Sequence, residues 1–313
     1  MSKTAFVFPG QGSQSLGMLA ELASAHAVVQ QTFAEASEVL DRDLWSLVQE
    51  GPEDDLNRTD LTQPAMLAAG VAVWRVWKEQ DGPMPVWMAG HSLGEYTALV
   101  CAEAMAFADA VKLVADRGRF MQDAVPAGEG AMAAILGLDD DAVRQVCAAV
   151  ASGEVVDAVN FNAPGQVVIA GSTAAVERAV AAAREAGAKR ALTLPVSVPS
   201  HCELMRPASE RLAERLAAVQ IAMPVTPVLH NVDAAQANDP DAIRDRLARQ
   251  LHRPVRWVET VQTLAGHQVG TLIECGPGKV LAGLGKRIDR SLNSMPVFDP
   301  ASLEKALQGA AND

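Results

Sequence analysis

Aromatic residues and paired cysteines are scarce in this sequence, and each scarcity narrows the class of protein. Only 4% of the 313 residues are aromatic, whereas 49% are hydrophobic, so we expect a large core of aliphatic side chains and closely packed helices. The 4 cysteines are scattered and form no C-x-x-C pair, which argues against a disulfide framework and against a zinc site. We therefore expect reduced, mostly buried thiols at Cys101, Cys147, Cys202 and Cys275.

The sequence also lacks the features that direct a protein to nucleic acid or to membranes. Its formal net charge is −12, so nonspecific binding to nucleic acid or to an anionic membrane is not expected. The first residues enter a strand pattern without a signal-peptide core, and no uncharged apolar run is long enough to span a bilayer. These absences favour a cytoplasmic α/β protein.

A nucleotide-binding turn is missing as well. In the glycine-rich stretch that begins at Gly10, Ser15 stands where the G-x-G-x-x-G fingerprint requires its third glycine, and no G-K-[ST] follows. Two interpretations remain open for this stretch. It is either a plain tight turn between a strand and a helix, or a turn that points one backbone N–H into a site.

The order of the predicted elements indicates two parts. Residues 128–197 alternate as β-α-β-β-α-β, which is the ferredoxin-like arrangement. The flanking residues, 1–127 and 198–313, alternate strands with alanine-rich helices, and we expect them to form one large α/β-hydrolase-like domain with a parallel sheet. The sequence thus predicts an α/β protein in which a small ferredoxin-like subdomain is inserted into a larger domain.

The stretch GHSLG, residues 90–94, lies between a strand pattern and a helix pattern. A serine at a sharp strand-to-helix turn presents its hydroxyl at the top of the sheet, and the residues two positions away on either side must lack a side chain for the turn to close. Gly90 and Gly94 meet that requirement. The unpaired amides of the following helix then point at any oxyanion that forms nearby. The pattern therefore predicts that Ser92 is a nucleophile.

A serine nucleophile needs a base within hydrogen-bond distance, and the sequence offers 6 histidines. His201 follows the last predicted strand of the insert, where the two parts of the fold meet and where a cleft is expected. Judged by its position alone, His201 is either that base or a capped or solvated loop histidine.

Arg117 lies on the side of a predicted helix that faces the core. Its neighbours three and four positions away are all apolar: Leu113, Val114, Phe120 and Met121. A buried guanidinium without a partner is strongly unfavourable, so it needs either a carboxylate from elsewhere in the fold or an anionic ligand. The sequence leaves both possibilities open.

Several stretches together, in order along nearly the whole chain, resemble one family. They are FVFPGQGSQ, GHSLGEYTAL, Arg117, NFNAPGQVVIAG, SVPSH, RQLHRPVRW and ECGPGKVLAGL. With them the chain resembles the malonyl-CoA:acyl carrier protein transacylases, in the free-standing form of bacterial type II fatty-acid synthesis.

The resemblance implies a role for each matching residue. Ser92 would be the acyl-accepting nucleophile and His201 its base. A backbone carbonyl at Gln250 would orient the histidine in place of an acidic residue. The amides of Gln11 and Leu93 would form the oxyanion hole.

The resemblance also bears on substrate choice. It implies that Arg117 binds the malonyl carboxylate. Ser200 occupies a position at which malonyl-selective relatives often carry a bulkier residue, which implies more room for branched acyl groups.

The implied reaction is ping-pong transfer of a malonyl group from coenzyme A to the phosphopantetheine thiol of acyl carrier protein, which supplies fatty-acid chain elongation. Both thiol compounds are substrates, no metal or redox cofactor is required, and we expect a monomer. Two alternatives remain: a serine esterase or thioesterase of the α/β-hydrolase type, and a non-catalytic scaffold that docks acyl carriers. An esterase would require an Asp or Glu between Ser92 and the histidine in chain order, and it gives no reason for Arg117.

Overall fold

A computed structural model describes residues 3–196 and 198–311. Its strands are β1 (Lys3–Phe8), β2 (Trp87–Gly90), β3 (Gly130–Leu136), β4 (Val156–Ala163), β5 (Gln166–Ser172), β6 (Arg190–Thr193), β7 (Val228–Leu229), β8 (Val269–Cys275) and β9 (Asn293–Val297). Its α-helices are α1 (Ala20–Ala25), α2 (Val28–Leu40), α3 (Leu44–Glu50), α4 (Glu53–Leu56), α5 (Thr59–Glu79), α6 (Gly94–Cys101), α7 (Phe107–Ala124), α8 (Asp140–Val150), α9 (Thr173–Glu185), α10 (Arg206–Ala217), α11 (Pro240–Gln250), α12 (Trp257–Gly266), α13 (Val280–Ile288) and α14 (Pro300–Ala311). A short 3-10 turn spans Glu203–Met205.

The larger sheet is parallel, as the sequence predicts, and has the strand order β7–β2–β1–β8–β9. β1 is buried along all but its first residue, because helices cover both faces of a parallel sheet. Phe8, at the end of β1, lies opposite Gly90, at the end of β2. The turn after β1 and the turn that carries Ser92 therefore meet at the same edge of the sheet.

The helices beside this sheet pack closely. Most of α5 is buried, and its buried residues include Ala65, Ala68, Ala69 and Ala72. Where α7 meets the start of α5, a Cβ added at Gly118 would lie 2.6 Å from the carbonyl oxygen of Thr59. Such a contact tolerates only glycine, so the small residues allow the close helix packing that the composition predicts.

The second sheet is antiparallel and has the strand order β4–β5–β3–β6. Helices α8 and α9 pack on it through a separate apolar cluster that includes Val143, Cys147, Val176 and Ala179. The chain order is β3–α8–β4–β5–α9–β6, so the predicted ferredoxin-like arrangement is confirmed.

We propose that residues 128–197 form an inserted subdomain and that residues 1–127 and 198–313 form the large domain. The four strands of the second sheet lie between residues 130 and 193, which supports these boundaries. Residues 1–2, Ser197 and residues 312–313 lie outside the described residues.

Strand β4 of the smaller sheet is bonded to the segment between α11 and α12. The backbone N–H of Phe161 donates to the carbonyl oxygen of Val255 at 3.0 Å, and the N–H of Val255 donates to the carbonyl oxygen of Val159 at 2.8 Å. Val255 lies after Gln250, the last residue of α11, so these bonds hold the smaller sheet against the segment that follows Gln250. The smaller sheet is thereby held close to Gln250.

Candidate active site

Ser92 lies in the tight turn between β2 and α6, and its backbone is left-handed, with φ of 51°. A Cβ added at Gly90 would lie 1.9 Å from the carbonyl oxygen of Gly94, and a Cβ added at Gly94 would lie 2.0 Å from that of Phe8. Neither position has room for a side chain, so the steric reason inferred from the GHSLG pattern is confirmed. A non-glycine residue with positive φ stores backbone strain of the kind concentrated at functional sites.

His201 is buried and makes two hydrogen bonds that define its tautomer. Its Nδ1 lies 2.7 Å from the backbone carbonyl oxygen of Gln250, which can only accept, so Nδ1 carries the proton. Its Nε2 lies 2.7 Å from Oγ of Ser92 and is left as the acceptor. Burial lowers the pKa of His201 to about 3, and the nearby positive charge of Arg117 acts in the same direction. The imidazole is therefore neutral at neutral pH and is not the solvated loop histidine of the alternative interpretation.

Arg117 is also buried, with 1% of its surface exposed. Nη1 donates to Oε1 of Gln63 at 2.7 Å, and Nη2 donates to Oε1 of Gln250 at 3.0 Å and to Oγ of Ser92 at 3.3 Å. The ring of Tyr96 lies 5.4 Å from the guanidinium carbon. All four partners are neutral, and no carboxylate within residues 3–196 and 198–311 forms an ion pair with Arg117. Of the two possibilities left by the sequence, the anionic ligand is the one that this geometry favours.

Gln11 and Leu93 line the same cavity, of about 220 Å³, as Ser92, His201 and Arg117. Within the described part of the chain, neither backbone N–H of these two residues has a hydrogen-bond acceptor. The turns that carry them are in close contact: a Cβ added at Gly10 would lie only 2.5 Å from the carbonyl oxygen of His91. Both amides are thus free to donate to a ligand.

The rest of the cavity wall comes from residues beside both sheets. The smaller sheet and the segment after it contribute mostly apolar side chains: Met132, Val168, Leu194, Val196 and Val198. Beside the larger sheet, α13 adds Val280, Leu281 and Leu284. Ser200 also lines the cavity, so its small side chain does affect the space available to a ligand.

Several residues around the site were not found by sequence analysis. Oδ1 of Asn231 accepts the N–H of Ser92 at 2.7 Å, and its Nδ2 donates to the carbonyl oxygen of Gly90 at 2.6 Å, so this side chain clamps the serine turn. Asn231 follows β7, at the carboxyl end of a parallel strand, where functional side chains gather in α/β sheets. That signal was present in the stretch "VLHNV". Gln63 is a second residue that sequence analysis missed, and its signal was a polar side chain inside the apolar helix α5.

Other kinds of site find no support in the described residues. Across residues 3–196 and 198–311, no group of three or more His, Cys, Asp or Glu side chains could hold a metal ion. In the same residues, no helix is both long and apolar enough to cross a membrane. The four cysteines are buried and unbridged, as predicted.

Known proteins resemble this chain over almost all of its length. Residues 5–302 match the family model for the acyl transferase domain. The malonyl CoA-acyl carrier protein transacylase of Salmonella typhimurium is 58% identical over 307 residues, which is 98% of this chain and 99% of that protein. A crystal structure of an acyl carrier protein S-malonyltransferase from Vibrio cholerae is 60% identical, with a TM-score of 0.95 over 97% of this chain and 100% of its own.

A further solved structure shows a malonyl-transacylase in complex with a type II polyketide synthase acyl carrier protein. It is 57% identical and has a TM-score of 0.97 over 98% of this chain and 100% of its own. These matches confirm the family resemblance that the motifs indicate. The chain therefore belongs to the acyl transferase family and, within it, to the malonyl-CoA:acyl carrier protein transacylases.

Proposed function

We propose that the chain transfers a malonyl group from coenzyme A to the phosphopantetheine thiol of acyl carrier protein, through an acyl-enzyme at Ser92, and so supplies fatty-acid chain elongation. The observation that carries the proposal is Arg117, a buried cation with no carboxylate partner among the described residues, 3.3 Å from Oγ of Ser92. A malonyl group places its carboxylate two bonds from the thioester carbon. A serine that attacks this carbon therefore brings the carboxylate within reach of the guanidinium, which can bind it through two parallel hydrogen bonds.

In the first half-reaction, Nε2 of His201 takes the hydroxyl proton of Ser92 while Oγ attacks the thioester carbon. The amides of Gln11 and Leu93 donate to the oxyanion that forms. When the tetrahedral intermediate collapses, the carbon–sulfur bond breaks, and the coenzyme A thiolate takes the proton from the imidazolium. The products are malonyl-Ser92 and free coenzyme A.

The second half-reaction reverses these steps with a different thiol. The phosphopantetheine thiol gives its proton to His201, and the thiolate attacks the malonyl ester carbon of Ser92. The ester bond to Oγ breaks and the serine recovers its proton from the imidazolium. The malonyl group leaves on the carrier protein. The burial that lowers the pKa of His201 keeps the imidazole neutral, and therefore able to act as the base, at neutral and mildly acidic pH.

The acyl carrier protein partner is supported by the 57% identical malonyl-transacylase that was solved in complex with such a protein. We further propose a monomeric enzyme of the cytoplasm. The buried, unbridged state of the four cysteines fits a reducing compartment.

The decisive experiment is incubation of the protein with malonyl-CoA, followed by intact mass measurement. The proposal predicts a stable malonyl adduct that Ser92→Ala abolishes and that added holo-acyl carrier protein removes, with malonyl appearing on the carrier. An esterase would release free malonate without any carrier, and a scaffold would form no adduct. Either result would contradict the proposed function.

A further inference from the structure

Glu95 is a buried carboxylate, in the first turn of α6, for which the transfer mechanism gives no role. Both of its oxygens have partners. Oε1 lies 2.7 Å from Nδ1 of His230, and Oε2 accepts the backbone N–H of Asn231 and the side-chain Nε2 of Gln250, each at 2.9 Å. Burial of a carboxylate costs free energy even when it is fully hydrogen-bonded. Its position beneath the serine turn therefore indicates a role in the active site.

The bond from Gln250 to Glu95 is one of two that determine which way the Gln250 amide faces. Nε2 of Gln250 donates to Glu95 and also to the carbonyl oxygen of Ser92 at 3.0 Å. Both of these groups are acceptors, so the amide nitrogen must face them. Oε1 is then turned to the opposite side, where it accepts from Nη2 of Arg117. In the reversed orientation, the amide NH₂ would face the guanidinium, and two donors would oppose each other.

The same arrangement places a negative charge behind Arg117 without pairing it directly. Burial lowers the pKa of Arg117, and the negative charge of Glu95 acts in the opposite direction. Because the Gln250 amide lies between the two charges, Glu95 supports the cation but does not occupy the face of the guanidinium that lines the cavity. A direct ion pair at that face would compete with an anionic substrate.

We propose that Glu95 is a positioning residue for substrate choice: by fixing the Gln250 amide, it holds Nη2 of Arg117 where the malonyl carboxylate binds. This inference rests on the proposed function, because it concerns how the malonyl group is recognised. Glu95 itself touches no reacting atom, and its effect passes through Gln250.

The test compares Glu95→Met with Glu95→Gln, and measures kcat/KM for malonyl-CoA and for acetyl-CoA on each protein. Methionine removes both acceptors at nearly the same size. A glutamine can keep Oε1 as the acceptor for Asn231 and Gln250, and its NH₂ can donate to Nδ1 of His230 in the tautomer that carries the ring proton on Nε2. We expect Glu95→Met to lower the malonyl-to-acetyl ratio at least about tenfold, the change expected for one lost hydrogen bond to a charged group. Glu95→Gln should keep the ratio within about threefold of wild type.

A purely structural role would lower both activities in proportion and leave the ratio unchanged, and that result would overturn the inference. So would a Glu95→Gln protein whose ratio falls as far as that of Glu95→Met, because the acceptor geometry would then not be what matters. The wild type separates this inference from the proposed function. If wild type shows no malonyl adduct or no malonyl preference, the inference and the proposed function both fail. If wild type shows the adduct and the preference, but the ratio is insensitive to Glu95, only the inference fails.

If Glu95→Met does not fold, Gln250→Met tests the step on which the inference depends, the contact of the Gln250 amide with Arg117. This variant removes the amide that lies between Glu95 and Arg117, and it keeps the backbone carbonyl that binds His201 and the bonds of Glu95 to His230 and Asn231. The malonyl-to-acetyl ratio should again fall by at least about tenfold. An unchanged ratio in a folded Gln250→Met protein would overturn the inference.

Discussion

His201 and Gln250 are joined by a hydrogen bond in which the imidazole Nδ1–H donates to a backbone carbonyl oxygen 2.7 Å away. A carbonyl fixes the tautomer and the ring orientation as a carboxylate would, but it adds no negative charge that would stabilise the imidazolium in the resting enzyme. The resting histidine is thus both well oriented and weakly basic. This combination leads to a specific pH dependence.

We predict that kcat/KM for malonyl-CoA persists well below the ordinary histidine pKa. Because burial lowers the pKa of His201 to about 3, the neutral, proton-accepting form is lost only as the pH falls through that lowered value. The acid limb of the profile should therefore lie below pH 6.5, the value for an unperturbed histidine. A half-maximal point at or above that value would show that the base is not the desolvated histidine described above.

Removal of the proposed base should lower the reaction rate without unfolding the protein. We expect His201→Ala to lower the transacylation rate about 10²–10⁴-fold, the usual contribution of a general base, while circular dichroism remains close to that of wild type. Ser92→Ala is the matched control, because it removes the other half of the 2.7 Å contact. Near-normal turnover by His201→Ala would mean that another group takes the serine proton.

The family resemblance implies an acidic carrier protein, and its docking to a chain of net charge −12 requires a local basic surface. Lys286 and Arg287 are exposed near the end of α13, and Arg287 contacts Gln166, a residue of the cavity wall. A second exposed pair, Lys189 and Arg190, lies at the start of β6. We predict that both pairs contribute to the docking surface.

Reversal of charge at both pairs should raise KM for the carrier protein, leave KM for malonyl-CoA unchanged and flatten the salt dependence of the carrier reaction. Lys112→Glu, at an exposed position of α7 that does not line the cavity, is the control for reversal of one charge away from the cavity. An unchanged carrier KM in the reversed variants would place the docking surface elsewhere on the protein.

The local features of the site could be predicted from sequence, because local sterics determine them. Gly90 and Gly94 leave so little room around Ser92 that the spacing alone indicates the turn. The apolar neighbours of Arg117 likewise predict its burial. Alternation of strand and helix patterns was sufficient to predict the ferredoxin-like arrangement, since each of its elements is close in sequence to the next.

Contacts between distant parts of the chain could not be predicted in this way. The position of His201 suggested a cleft, but only the family resemblance distinguished a base from a loop residue. Asn231 lies 139 positions from Ser92, and Gln250 lies 133 positions from Arg117, so no periodicity relates these partners. Such pairs depend on how the strands and helices pack, which a single sequence does not reveal.

The most direct test of the central claim, that Arg117 selects the malonyl group, is Arg117→Ala assayed with malonyl-CoA and acetyl-CoA on one preparation. The transition state for malonyl transfer should lose about 3–5 kcal/mol of stabilisation, the cost of removing one member of a buried charge pair. The kcat/KM for acetyl transfer should stay the same or rise. Arg117→Lys is the control, since an ammonium keeps the charge but cannot bind a carboxylate bidentately. The account predicts an inverted malonyl-to-acetyl preference in kcat/KM for Arg117→Ala. An equal fall in both activities would contradict it and leave Arg117 a structural residue.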